Sequence, residues 1–203
     1  SANWMWPCNN PGEDSRLYEA VKACSNFAID LGINIPTGKD SLSMKQKYND
    51  MEVLSPGTVI ISATANCDNI NNVIEPVFKN NNDSIYYIDM SKSPHSIGGS
   101  AFGQTQCQIG DNCPDVTDSD YFKKVFNIIQ NFIKCDLIVS GHDISSGGII
   151  TTLLELCFSE NDLGANIDLS SLLCNDTTEL LFSENPGIIF QGKKTIEEKL
   201  YKN

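Results

Sequence analysis

Positive charge is scarce in this 203-residue sequence. Lys and Arg together number 14 against 26 Asp and Glu, a formal net charge of -12. A field of that sign repels phosphate backbones and anionic bilayers, which argues against generic binding of nucleic acid or membrane surfaces. It leaves room for a nucleotide, because local amides, one Lys or a bound Mg²⁺ can supply the positive charge. Histidine is scarce too, at two residues, and none of the eight cysteines forms a C-x-x-C pair, so a zinc centre is disfavoured. No apolar run reaches membrane-spanning length and no secretory signal is visible. These absences predict a cytoplasmic protein with reduced thiols. Cys24, Cys135 and Cys157 fall in or beside apolar helical patterns and are expected to serve as small hydrophobes. The Walker pattern G-x-x-x-x-G-K-[ST] is missing, and no nucleophile lies beside a base, so the chain offers no catalytic residue of its own.

What is present is ordinary for a globular protein: 40% hydrophobic and 20% charged residues. PGEDSRLYEAVKACSNFAIDLG reads as an amphipathic helix, with Pro-Gly and acidic residues at its start and Gly32 as its stop. TVIISATANC reads as a strand, and the Asn-rich stretch 69–83 places a domain boundary near residue 75. Beyond it, strands at SIYYIDM, CDLIVSGHD, GANIDL and PGIIFQ interleave with helices at IGGSAFGQTQ, DSDYFKKVFNIIQNFIK and GGIITTLLELCFSE. Such alternation predicts a mixed α+β or α/β layered fold. One helix and one strand in residues 1–70 are too little to cover a sheet, so this part is expected to borrow packing from polypeptide beyond it. The opening SANWMWPCNN lacks Met and the final KKTIEEKLYKN begins a helix, so both ends are expected to continue in a longer chain.

Two constellations could carry chemistry. In GINIPTGKDSLSMK, the cluster Gly38-Lys39-Asp40-Ser41 joins a flexible backbone, a cation and a carboxylate; it suits either a solvated turn or a phosphate and Mg²⁺ loop. In SGHDISSGGII, a strand end is followed by His142, Asp143, Ser145 and Ser146, and Gly147-Gly148 opens a helix whose N-terminus favours anions. Asp143 reads equally as a helix cap or a Mg²⁺ ligand, and His142 as an orienting core residue. The Gly-Gly-Ser start of IGGSAFGQ suits a further anion site or, more commonly, close helix packing, and Glu179 and Glu184 are too isolated in sequence to form an acid/base pair.

Seven stretches taken in order resemble the large single-chain phosphoribosylformylglycinamidine synthase (FGAR amidotransferase) family: SANWMW, PGEDSRLYEAV, GINIPTGKDSLSMK, SPGTVIISATA, HDISSGG, TLLELCFS and LLFSENPGIIFQ. IPxGKDSLSMK and HDxSDGG are specific when found together, and here Ser146 stands where the second pattern has Asp. The resemblance implies an aminoimidazole-ribonucleotide-synthetase-like α+β fold, with residues 1–75 ending the N-terminal half and residues 76–203 forming much of the C-terminal half. It further implies ATP or ADP and Mg²⁺ as cofactors, and a ribonucleotide substrate whose amide oxygen is phosphorylated before ammonia displaces phosphate. That route needs charge stabilisation and positioning more than a protein nucleophile. Asp143 matches a family Mg²⁺ ligand, and Ser145 a nucleotide contact at an auxiliary site. Gly38, Lys39 and Ser41 match a nucleotide loop, with Asp40 toward the metal. The glutaminase that supplies ammonia, and the Glu and Asn that complete the metal site, would lie elsewhere in the polypeptide. Two rivals stand beside this reading: another synthetase of the superfamily, such as a selenophosphate synthetase, and a structural module that has lost nucleotide binding.

Overall fold

Left-handed glycines delimit the first helix in the computed structural model, which describes residues 1–79, 83–159, 163–172 and 176–200. Gly12 (φ 84°) precedes α1, Glu13–Leu31, and Gly32 (φ 76°) ends it, its N–H turned back to the carbonyls of the last turn. Glycine adopts this conformation without the Cβ penalty. The helix links β1, Ala2–Met5, to a parallel neighbour β2, Gly38–Ser41, while β5, Thr58–Ile61, pairs antiparallel on the other edge of β1. Between them β3, Lys45–Tyr48, and β4, Met51–Leu54, form a hairpin of their own, turned at Asn49 with φ 51°. These elements make one compact unit, Ser1–Asp68. Ala2 and Trp6 are its buried hydrophobic side chains among the described residues; α1 buries none. Val59, Ile60 and Ile61 of β5 stand exposed, as do Met51, Val53 and Leu54 of β4.

The second unit, Asn69–Asn203, is built on an antiparallel sheet of order β6-β8-β7, from β6 (Ser84–Asp89), β7 (Ile138–Asp143) and β8 (Gly187–Gly192). Helices α2 (Ala101–Thr105), α3 (Ser119–Lys134), α4 (Gly148–Phe158), α5 (Thr177–Phe182) and α6 (Thr195–Leu200) complete it. Side chains of successive strand residues point to opposite faces. Along β8, Phe190 accordingly joins a cluster with Val125, Ile129 and Phe132 of α3 and Ile196 of α6. Its neighbour Ile189 joins a second cluster with Ile149 and Leu156 of α4 and Leu180 of α5. The sheet is therefore covered on both faces. Asp118 caps α3 by accepting the N–H of Tyr121 at 2.8 Å.

Several expectations change. The unit boundary falls at Asp68/Asn69 rather than near residue 75, because the intervening stretch is bonded into the second unit. Glu75 accepts the Gly141 N–H, Phe78 donates to Leu156, and Lys79 exchanges hydrogen bonds with the Gln191 side chain. GANIDL, residues 164–169, is irregular and pairs with no strand. The strand predicted over 58–67 stops at Ile61. Cys135 is exposed at the end of α3 rather than buried. Seven described cysteines are free thiols, and Cys174 lies outside the described residues.

Candidate functional site

β7 delivers His142 and Asp143 to the edge of the second unit, and the connection Ile144–Gly147 leads into α4. Its backbone is held at several points. The Asp143 carbonyl faces His142 Nδ1 at 2.8 Å and accepts from the buried Thr152 hydroxyl at 3.2 Å. The other imidazole nitrogen, Nε2, lies 3.3 Å from Glu155. Ile144 is buried and donates its N–H to Gly187 at 2.8 Å. On this fixed frame the Asp143 carboxylate is 75% exposed, and Ser145 and Ser146 also face outward. The Asp143 carboxylate lies 3.2 Å from His142 Nδ1, and Asp143, Ser145 and Ser146 present their side chains to solvent. Beside them a cavity of about 380 Å³ is lined by Ile74, Ile129, Ile188 and Phe190, with His142 and Asp143 among its polar residues.

The glycine pair that opens α4 serves close packing. Gly147 and Gly148 have φ of 93° and 74°. A Cβ on Gly148 would stand 2.7 Å from the carbonyl oxygens of Leu181 and Ser183, so this position admits the end of α5 against the start of α4. Gly147 offers α4 no side-chain cap, and its N–H goes to Glu184 Oε1 at 2.8 Å. The same oxygen accepts from Ala101, the first residue of α2, at 2.8 Å. Sequence reasoning set Glu184 aside for want of a carboxylate partner; its partners are backbone amides 37 and 83 residues away. In IGGSAFGQ the close approach is between loops rather than helices: a Cβ on Gly98, before α2, would meet the Asn112 carbonyl oxygen at 2.2 Å.

Gly38-Lys39-Asp40-Ser41 is neither a turn nor a glycine-rich loop. It is β2, aligned with β1 in the register Ala2↔Gly38 to Met5↔Ser41. Gly38 is needed because a Cβ there would lie 2.2 Å from the Ala2 carbonyl oxygen. Lys39 is exposed and folds back, its Nζ donating to the Asp40 carbonyl at 2.9 Å and the Ser41 hydroxyl at 2.5 Å. Lys39 and Asp40 border a cavity of about 410 Å³ whose apolar wall is Trp4, Leu17, Val21 and Ile35.

Residues 81–191, more than half of the 203, match the family described as AIR synthase related protein, C-terminal domain. The chain belongs to this family. Residues 1–66 match the FGAR-AT PurM_N-like domain. The chain is 41% identical over 199 residues to a protein of Arabidopsis thaliana named probable phosphoribosylformylglycinamidine synthase, chloroplastic/mitochondrial, covering 96% of this chain and 14% of that protein. It is 35% identical over 193 residues to the Homo sapiens phosphoribosylformylglycinamidine synthase, covering 94% and 14%. The chain therefore spans about one seventh of the length of these curated relatives. Among solved structures, Thermotoga maritima PurL complexed with AMPPCP aligns over 99% of this chain and 30% of its own, with a TM-score of 0.59 at 10% identity. That likeness shows the fold, which is the α+β, AIR-synthase-like architecture that the resemblance implied.

The described residues do not make a Mg²⁺ site by themselves. No group of three or more His, Cys, Asp or Glu converges among them. Mg²⁺ takes oxygen ligands in octahedral array. Asp143 and Asp40 each present one carboxylate suited to completing such an array, not to holding the ion alone. Among the described residues no helix is long and apolar enough to cross a membrane.

Proposed function

We propose that the chain is a segment of a phosphoribosylformylglycinamidine synthase, an ATP-dependent ligase that converts formylglycinamide ribonucleotide to its amidine with glutamine as amido donor. The observation that carries this is identity of 35–41% across nearly the whole chain. In this reading Asp143 and Ser145 contact a nucleotide and its Mg²⁺ on the second unit, the remaining metal ligands coming from residues outside this chain. The carboxylate and hydroxyl project from a backbone fixed by Thr152 and Ile144, which lowers the entropy lost when a ligand orders them. Gly38, Lys39, Asp40 and Ser41 line a ligand-facing strand rather than a loop. No group in the chain acts as nucleophile; its residues position and balance charge. A glutaminase region of the same polypeptide supplies ammonia, and the enzyme works in the cytoplasm.

The test is formation of the amidine by the full-length protein with ATP, Mg²⁺ and either glutamine or ammonia, beside binding of ADP by Asp143→Asn and Ser145→Ala variants. Activity with both nitrogen donors and an ADP affinity about tenfold weaker in Asp143→Asn are expected. Amidine formation by the full-length protein with ADP binding untouched in both variants would move the nucleotide off this loop. A module that has lost nucleotide binding is the second reading, favoured by Ser146 in place of the family's Asp; it requires that the full-length protein bind no ADP at the second unit.

A further inference from the structure

We propose that Glu184 is a positioning residue that holds the His142–Gly148 connection in its ligand-ready shape and ties it to the start of α2. One carboxylate oxygen accepts the N–H groups of Gly147 and Ala101, each at 2.8 Å. These amides belong to two helix starts, where N–H groups lack intrahelical partners. Hydrogen bonds to an ionised acceptor are stronger than neutral ones. Glu184 therefore satisfies from afar the N–H of the residue that precedes α4, as the reciprocal Glu of a capping box does.

The neighbours of Glu184 work in the same way. Ser183 Oγ lies 2.9 Å from His95 Nδ1. Buried Asn185 directs its Nδ2 to the hydroxyls of Ser91 and Ser93, each at 3.0 Å. Three successive side chains thus pin three separate segments: 91–95, the α2 start and the α4 start. Of these pins, the one from Glu184 bears on the candidate site. Gly147 and Gly148 both occupy the left-handed region, and glycine is the residue with most conformational freedom to lose there. Without the carboxylate the two-glycine hinge is released next to Asp143 and Ser145. The Gly147 N–H is already engaged by this carboxylate and is not offered to a ligand.

The inference rests on the nucleotide reading above, and its test separates the two. Full-length protein and its Glu184→Ala and Glu184→Gln variants are titrated with ADP in the presence of Mg²⁺, and hydrogen–deuterium exchange is followed in peptides covering 99–105, 143–150 and 186–192. Glu184→Ala is expected to weaken ADP binding about tenfold and to speed exchange in the first two peptides while the β8 peptide stays protected. Glu184→Gln keeps a neutral acceptor and should fall between. ADP affinity within about twofold of the unmutated protein, with unchanged exchange in Glu184→Ala, overturns the proposal. Should Glu184→Ala also lose protection in β8, it has unfolded, and Glu184→Gln decides: wild-type exchange in both loops overturns, faster exchange upholds. If the unmutated protein binds no ADP, the nucleotide reading fails, while the exchange comparison still judges the hold of Glu184 on the two loops.

Discussion

The two units of this chain solve the covering of a sheet differently. In the second, β8 sends Phe190 to one helical layer and Ile189 to the other, and both side chains are essentially removed from solvent. In the first, β5 carries Val59, Ile60 and Ile61 with every one exposed, and the 19-residue α1 buries no side chain among the described residues. Both helices with an apolar stripe, α1 and α3, have sound termini, so local signals form a helix whether or not a partner is present for its face. What differs is the long-range packing, and that is where folded stability is decided.

The largest expected effect follows from this contrast. Phe190→Ala removes a fully buried ring stacked on Tyr86 at 5.3 Å, and should cost about 3–5 kcal/mol. Ile60→Ala, at a position 51% exposed, should cost under about 1 kcal/mol in this chain. Denaturant unfolding separates the units, because both tryptophans, Trp4 and Trp6, lie in the first and report on it by fluorescence. Circular dichroism follows the helices of both, most of which belong to the second, so a change in it without a change in fluorescence reports on the second. Comparable losses for the two substitutions would break the comparison. In the full-length protein the Ile60 effect should grow toward that of a core residue if β5 is covered there.

Legibility in the sequence tracked the range of the interaction. Helices α1 and α3 and strands β6, β7 and β8 were readable because caps, stops and periodicity are local. β1 and β2 were not: each has four residues, and their pairing joins positions 36 apart, Ala2 with Gly38. The polar run Gly-Lys-Asp-Ser resembles a turn until its partner strand is known. GANIDL had the composition of a strand and found no edge to join. At the candidate site, Asp143 and Ser145 could be singled out from their motif. The purpose of Gly148 could not, since it depends on carbonyls of Leu181 and Ser183, nor could the role of Glu184.

A mid-sized effect tests whether an exposed surface of the first unit is functional. Lys39→Ala and Asp40→Ala should each change the stability of this chain by less than about 0.5 kcal/mol, because Lys39 bonds only within its own strand and both are exposed. On the proposed function, kcat/KM of the full-length protein assayed with ammonia in place of glutamine should fall about tenfold to a hundredfold. As the proposed Mg²⁺ contact, Asp40 should be the more sensitive, since such a ligand has no ready replacement in water, while counterions partly substitute for an ammonium. Wild-type kcat/KM in both variants would make β2 purely structural, and the exposed polar groups of the first unit would then be no more functional than its exposed apolar ones.

The smallest effect concerns a charge at the surface of the better-packed unit. The carboxyl of Asp118 is held below its ordinary range, first by the Tyr121 N–H it accepts at the start of α3 and then by Lys92 at 2.9 Å. A depressed folded-state pKa means that the charged form stabilises the fold above the unfolded value of 3.8, and that this contribution is lost as pH falls below it. Unfolding midpoints of the unmutated chain and of Asp118→Ala, which removes both the acceptor and the charge, should therefore differ most near neutrality and draw closer as pH falls below about 4. The background of other titrating carboxylates cancels in that difference. Salt distinguishes the two causes. The Lys92 pair is exposed and screened, whereas the backbone hydrogen bond persists at short range. Since the hydrogen bond is the larger cause, most of the difference should survive at high salt. A difference abolished by salt would assign the stabilisation to the ion pair, and the helix cap would lose its claim to it.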